Sequence, residues 1–131
     1  MTEIEKTEKI TINLGPVDLG QIDLLVQEGF YSNRTDFIRT AIRNQLTTHK
    51  DVVKRTVARK TLVLGLQHYT RRDLEAVRAA GKKLQINVLG LASIAEDVSP
   101  ELALATIDSV VVLGAFRASS EVKAALAGRI T

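Results

Sequence analysis

Residues 9–14, KITINL, alternate strictly between polar and apolar positions. Ile10, Ile12 and Leu14 fall on one side, and Lys9, Thr11 and Asn13 on the other, the period of a half-buried strand. Gly15-Pro16 ends the run, and Pro16 suits the first turn of a helix. From Pro16 to Glu28 the period lengthens: Leu19, Ile22, Leu25 and Val26 share one helical face. Gly29 stands where a left-handed C-terminal cap is expected. Ser32 is the expected N-cap of a second helix, with Asp36 near its positive end. Phe37, Ile38, Ala41, Ile42, Gln45 and Leu46 then repeat at helical spacing, which predicts a second buried stripe.

A lone strand leaves its backbone donors and acceptors without partners. No neighbouring strand follows within the first fifty residues. The least costly remedy is the same strand from a second chain, an antiparallel two-stranded ribbon over four helices. The pattern therefore predicts a homodimer.

From about Thr61 the chain changes character and repeats. VLGL at Val63, VLGL at Val88 and VLGA at Val112 are spaced 25 and then 24 residues apart. Asp73-Leu74, Asp97-Val98 and Glu121-Val122 recur at 24 and 24, and Leu102 and Leu126 keep the same offset. Each unit reads as a strand, a glycine turn and a helix, with helices near Arg71–Ala80, Pro100–Thr106 and Ser120–Ala127. Ser99, and Ser119 or Ser120, are the expected caps. Strands and helices in this rhythm imply parallel pairing, either as a short β-α solenoid or as another small α/β sandwich. The end strands of so small a stack need covering, so this half is also expected to self-associate.

Composition narrows the chemistry. The 131 residues are 45% hydrophobic but only 4% aromatic, so the core must come from Leu, Ile, Val and Ala. Cysteine is absent, which removes disulfides, thiolate metal sites and cysteine nucleophiles. His49 and His68 are the only histidines, too few for a histidine-rich metal site. The glycines form neither a dinucleotide nor a P-loop fingerprint. No cofactor, metal or catalytic site is expected. MTEIEKTEK, with Glu3, Glu5 and Glu8, resembles no signal peptide, and the apolar runs are too short to span a membrane. A soluble cytoplasmic protein is expected. Net charge is +3, and its distribution matters more than its size. HKDVVKRTVARK, residues 49–60, holds Lys50, Lys54, Arg55, Arg59 and Lys60 against one acid, Asp51, either a solvated helix or an attraction for phosphates. HYTRRD, residues 68–73, is the most polar cluster of the second half, a solvated loop or a ligand contact.

The order strand, helix, glycine turn, helix resembles the ribbon-helix-helix DNA-binding family, CopG-, Arc- and MetJ-like. The resemblance covers about residues 7–48 and rests on KITINL, PVDLGQIDLLV and above all GFYSNRTDFIRTAIRNQL. It implies a paired ribbon in the major groove of double-stranded DNA, with Lys9, Thr11 and Asn13 contacting bases. It further implies a phosphate clamp at the start of the second helix from Ser32, Asn33 and Arg34. Lys50, Lys54 and Arg55 are candidate additional backbone contacts. Arg39 and Arg43 remain open between DNA and intersubunit ion pairs. The nickel-responsive branch of the family has a C-terminal sensor half, but its His/Cys ligands have no counterparts here.

The expected fold class is α+β, an intertwined ribbon-helix-helix dimer followed by a small α/β domain of three β-α repeats. The expected division is a flexible N-terminus at 1–6, the DNA-binding domain at 7–48, and a basic linker or helix extension at 49–60. An oligomerisation or effector domain at 61–131 completes it. The expected function is a homodimeric or higher-order, sequence-specific transcriptional repressor, nucleoid-associated in the cytoplasm, with any small-molecule effector unknown. An antitoxin or plasmid partition factor is the alternative on the same module, and a self-assembling, DNA-organising scaffold the alternative of another class.

Overall fold

A computed structural model describes residues 7–131; the N-terminal segment 1–6, expected to be flexible, lies outside the described residues. The chain divides into two compact units, 7–56 and 57–131.

In the first unit, α1 (Pro16–Gln27) and α2 (Arg34–Thr48) form a helical hairpin, and α3 begins beyond His49 (Lys50–Arg59). Pro16 occupies the first turn of α1, where its missing N–H costs no hydrogen bond. α1 ends as its sequence predicts. Gly29 adopts φ +87°, its amide donates to the Val26 carbonyl, and the Phe30 amide donates to that of Leu25. This left-handed closure satisfies carbonyls that the helix end leaves open. Tyr31 packs its ring edgewise on Phe37, centroids 5.0 Å apart, bracing the turn against α2.

Two features of this unit differ from the sequence expectation. Residues 9–14 form no strand in the single chain, because a strand is defined by a partner's hydrogen bonds and one copy has none to offer. The second stripe is also less covered than its spacing predicts: Phe37 and Ile38 are half-buried, but Ala41, Ile42, Gln45 and Leu46 are exposed. Ile22 is the one fully buried apolar residue among the described residues of this unit. The segment 49–60 is largely helix, and its basic residues are exposed.

The second unit is built from β1 (Val63–Tyr69), α4 (Arg71–Ala79), β2 (Leu84–Ile94), α5 (Pro100–Thr106), β3 (Ile107–Arg117) and α6 (Ser120–Ala125). The strands form a parallel sheet in the order β1-β2-β3. The internal repeat is the pairing register: Val63 lies beside Val88, and Val88 beside Val112. Each helix is capped from its own sequence, by Thr70 with Asp73 at α4, Ser99 at α5 and Ser119 at α6. The core lies on one side of the sheet. Leu74, Leu102, Ala103 and Val122 from the three helices, with Leu126 just past α6, close over Ile86, Val88, Ala92 and Val110. The chain end is pinned too: Ile130 bridges to Val110, and the Arg129 guanidinium donates to the carbonyls of Leu104 and Ile107, each at 2.7 Å.

Candidate nucleic-acid interface

Lys9, Thr11 and Asn13 are all exposed, but so is the other side of the same segment, with Ile10 at 77%, Ile12 at 59% and Leu14 at 41%. The segment thus buries neither of its sides within the single chain. The same deficit continues on the helices, where Val17, Leu24, Phe30, Ile42 and Leu46 remain in solvent. Scattered exposed apolar residues are ordinary, but a unit with a single buried one is not.

The start of α2 is one residue later than its sequence suggests. Asn33, not Ser32, is the N-cap: its side-chain oxygen accepts from the Asp36 amide at 2.8 Å. Ser32 contributes its backbone instead, donating its amide to the Asp36 carboxylate at 2.9 Å. Asparagine wins because its carbonyl reaches the third helical amide, while the Asp36 carboxylate closes the loop back to residue 32. With the Ser32 and Asp36 amides engaged, Arg34 and Thr35 are the first-turn amides that helix geometry leaves without an intrahelical acceptor. The sequence does not mark Thr35, because a cap at Ser32 points to amides one residue earlier.

Arg34 is engaged within its own chain. Its Nε donates to Asp23 Oδ1 at 2.7 Å and its Nη2 to Oδ2 at 2.8 Å, a forked pair tying α2 to α1. The hydrogen bond to Arg34 holds the Asp23 carboxyl below its ordinary range. Nothing in the local sequence marks Asp23 as this partner; the hairpin brings it there. Because both side chains are about half exposed, the pair is an orienting contact rather than a large source of stability. It uses two of the five guanidinium donors, and three N–H groups remain.

Lys50, Lys54 and Arg55 lie exposed on α3. In the second unit, His68 of the polar cluster 68–73 bonds through Nδ1 to Ser93 Oγ at 2.7 Å across the β1-β2 pairing. Asp73 of the same cluster is spent on the cap of α4, where the Thr70 backbone and hydroxyl lower its pKa. Among the described residues no group of acids and histidines is arranged to hold a metal ion. Nor is any helix long and apolar enough to cross a membrane.

Comparison with known proteins adds one assignment. The chain matches a family described as the ribbon-helix-helix transcriptional regulator family over residues 5–123. It is also 42% identical over 40 residues to an uncharacterized protein of Methanocaldococcus jannaschii. That match takes in 30% of this chain and 41% of the relative, so the chain spans less than half the length of the curated relative it matches. No solved structure matches the chain.

Proposed function

The chain belongs to the ribbon-helix-helix transcriptional regulator family, a family of regulators rather than enzymes, and we propose that it acts as a homodimeric, sequence-specific DNA-binding repressor. The observation that carries this reading is the uncovered state of residues 9–14. Their apolar side has no core to enter within one chain, and their polar side has the groups that read bases. Pairing two copies antiparallel turns Ile10, Ile12 and Leu14 inward and aligns Lys9, Thr11 and Asn13 outward as a ribbon of major-groove width. Lysine then donates to guanine, asparagine pairs with adenine, and threonine meets a base edge or a thymine methyl group.

The start of α2 positions the ribbon. Ser32, Asn33 and Arg34 remain the proposed phosphate clamp, refined by the cap geometry. Asn33 shapes the turn, the amides of Arg34 and Thr35 face the phosphate, and the unspent Arg34 donors reach it while its other edge holds Asp23. Lys50, Lys54 and Arg55 add backbone attraction that carries no sequence information. The site of action is the nucleoid. Against the antitoxin reading stands the second unit, a folded domain with its own core, where a toxin-wrapping antitoxin needs only a short flexible tail.

The test starts by retaining genomic fragments on the purified chain and sequencing them to define an operator. Asn13→Ala and Lys9→Ala are then measured on that operator and on random DNA. The expected result is a loss of roughly 30-fold or more on the operator, since each substitution removes a base contact worth about 1–3 kcal/mol from both subunits, with much less on random DNA. Equal losses on both would exclude readout by the ribbon.

A further inference from the structure

The helices of the second unit cover one face of its sheet and leave the other. On that other face the register sets Leu64, Leu89 and Leu113 in one row and Leu66, Leu91 and Ala115 in the next. Leu91, at the centre, is buried yet stands apart from the helix-side core, while Leu64, Leu66 and Leu113 are 67%, 55% and 52% exposed. Parallel sheets are ordinarily covered on both faces, because their strands are apolar on both. The two rows hold no charge, and polar side chains flank them on both sides, Asn87 in the row before and His68, Ser93 and Arg117 in the row after.

We infer that this leucine face packs against the same face of a second copy of the chain. The size of the face selects the occupant. Three strands about 4.8 Å apart, paired over seven residues of about 3.3 Å, make a surface of roughly 330 Å². A partner binding from free solution needs about 800 Å² on each side. The face is therefore too small to recruit an independent protein, and large enough for an occupant already held nearby at an effective millimolar concentration. Two chains joined at the N-terminal ribbon hold such an occupant, and an uncharged apolar face of the same width is complementary to itself. The inference rests on the ribbon dimer proposed above. It adds a second contact between the two copies, by which the repeat half locks the ribbon dimer.

Because the chain has no native cysteine, a single one reports contact. Leu113→Cys in the full-length chain is expected to form a disulfide-linked pair on mild oxidation in dilute solution. Glu101→Cys, exposed on α5 at the covered side, serves as the control and should link at least tenfold more slowly. Adding Leu66→Glu to the Leu113→Cys chain should remove the linkage while leaving the melting curve in place, since Leu66 is already half exposed; Leu64→Glu is the second variant if the first unfolds. Linkage no faster than the control overturns the inference, as does a cysteine protected from alkylation but never linked, which means that the chain covers its own face. Light-scattering mass separates the two readings. A dimer without linkage overturns the face contact alone, and a monomer that links only when concentrated overturns the ribbon alone. A monomer that never links overturns both.

Discussion

Gly65, Gly90 and Gly114 lie side by side across the sheet, at φ +131°, +139° and +119°. Alanine at any of the three is forced into a backbone region that L-residues avoid, which costs about 1–3 kcal/mol. The surroundings then separate the three positions. A Cβ on Gly90 runs into the Gly65 carbonyl, and one on Gly114 runs into the Gly90 carbonyl, whereas one on Gly65 meets nothing within 4 Å. The obstructing atoms are backbone, which cannot rotate away, so the overpacking penalty of roughly 1–3 kcal/mol adds in full at Gly90 and Gly114. Gly90→Ala and Gly114→Ala should therefore destabilise by about 2–6 kcal/mol, and Gly65→Ala by about 1–3 kcal/mol. Against a typical total of about 5–15 kcal/mol, the first two approach unfolding and the third does not. Urea titration followed by circular dichroism reads the order directly through the shift in midpoint at unchanged slope. If Gly65→Ala costs as much as Gly90→Ala, the carbonyl contact is not the cause and the reasoning fails.

Other predictions concern the first unit and the caps. Arg34→Ala should weaken binding to any DNA and reduce the magnitude of the salt slope by about 2, one phosphate contact from each subunit, while Asp23→Ala should leave that slope unchanged; an unchanged slope for Arg34→Ala excludes its phosphate role. Thr61 holds φ +55° at the end of α3, with the hydrogen bonds that Gly29 makes after α1, so Thr61→Gly should stabilise the chain by about 0.5–1 kcal/mol, read as a higher melting temperature. The Asp73 carboxyl is held below its ordinary 3.8 by the Thr70 backbone first and then the Thr70 hydroxyl. Its contribution is therefore fully present above that value and is lost as pH falls through the lower folded-state value. Asp73→Asn should make the melting temperature less dependent on pH in that acid range, and an identical pH profile would argue against the cap.

Much of the molecule is local and was legible as such. Pro16 and Gly29 bound a helix by their own backbone preferences, and Ser99 and Ser119 each cap the following turn by accepting from the amide three residues on. The repeat went further, because a parallel strand-helix unit of constant length must place its strands in register: the 24–25-residue spacing became the Val63–Val88–Val112 pairing. The cap of α2 lies one residue beyond Ser32: Ser32 and Asn33 are both good caps, and the folded turn selects Asn33, whose side-chain carbonyl takes the Asp36 amide while the Asp36 carboxylate takes the Ser32 amide.

The sequence by itself determined the helices α1, α2 and α4–α6, the three strands of the second unit, their order and the repeat, since these depend on side-chain periodicity and on residues close in the chain. Tertiary structure decided which groups are engaged and which surfaces remain open. Asp23 reaches Arg34, and His68 reaches Ser93, only because a helical hairpin and a strand pairing fold distant positions together. The helices crowd one face of the sheet and leave Leu64, Leu66 and Leu113 of the other in solvent, though both faces read alike in sequence. Strand periodicity records which side of a residue is apolar, and only the packed structure records what, if anything, lies against it.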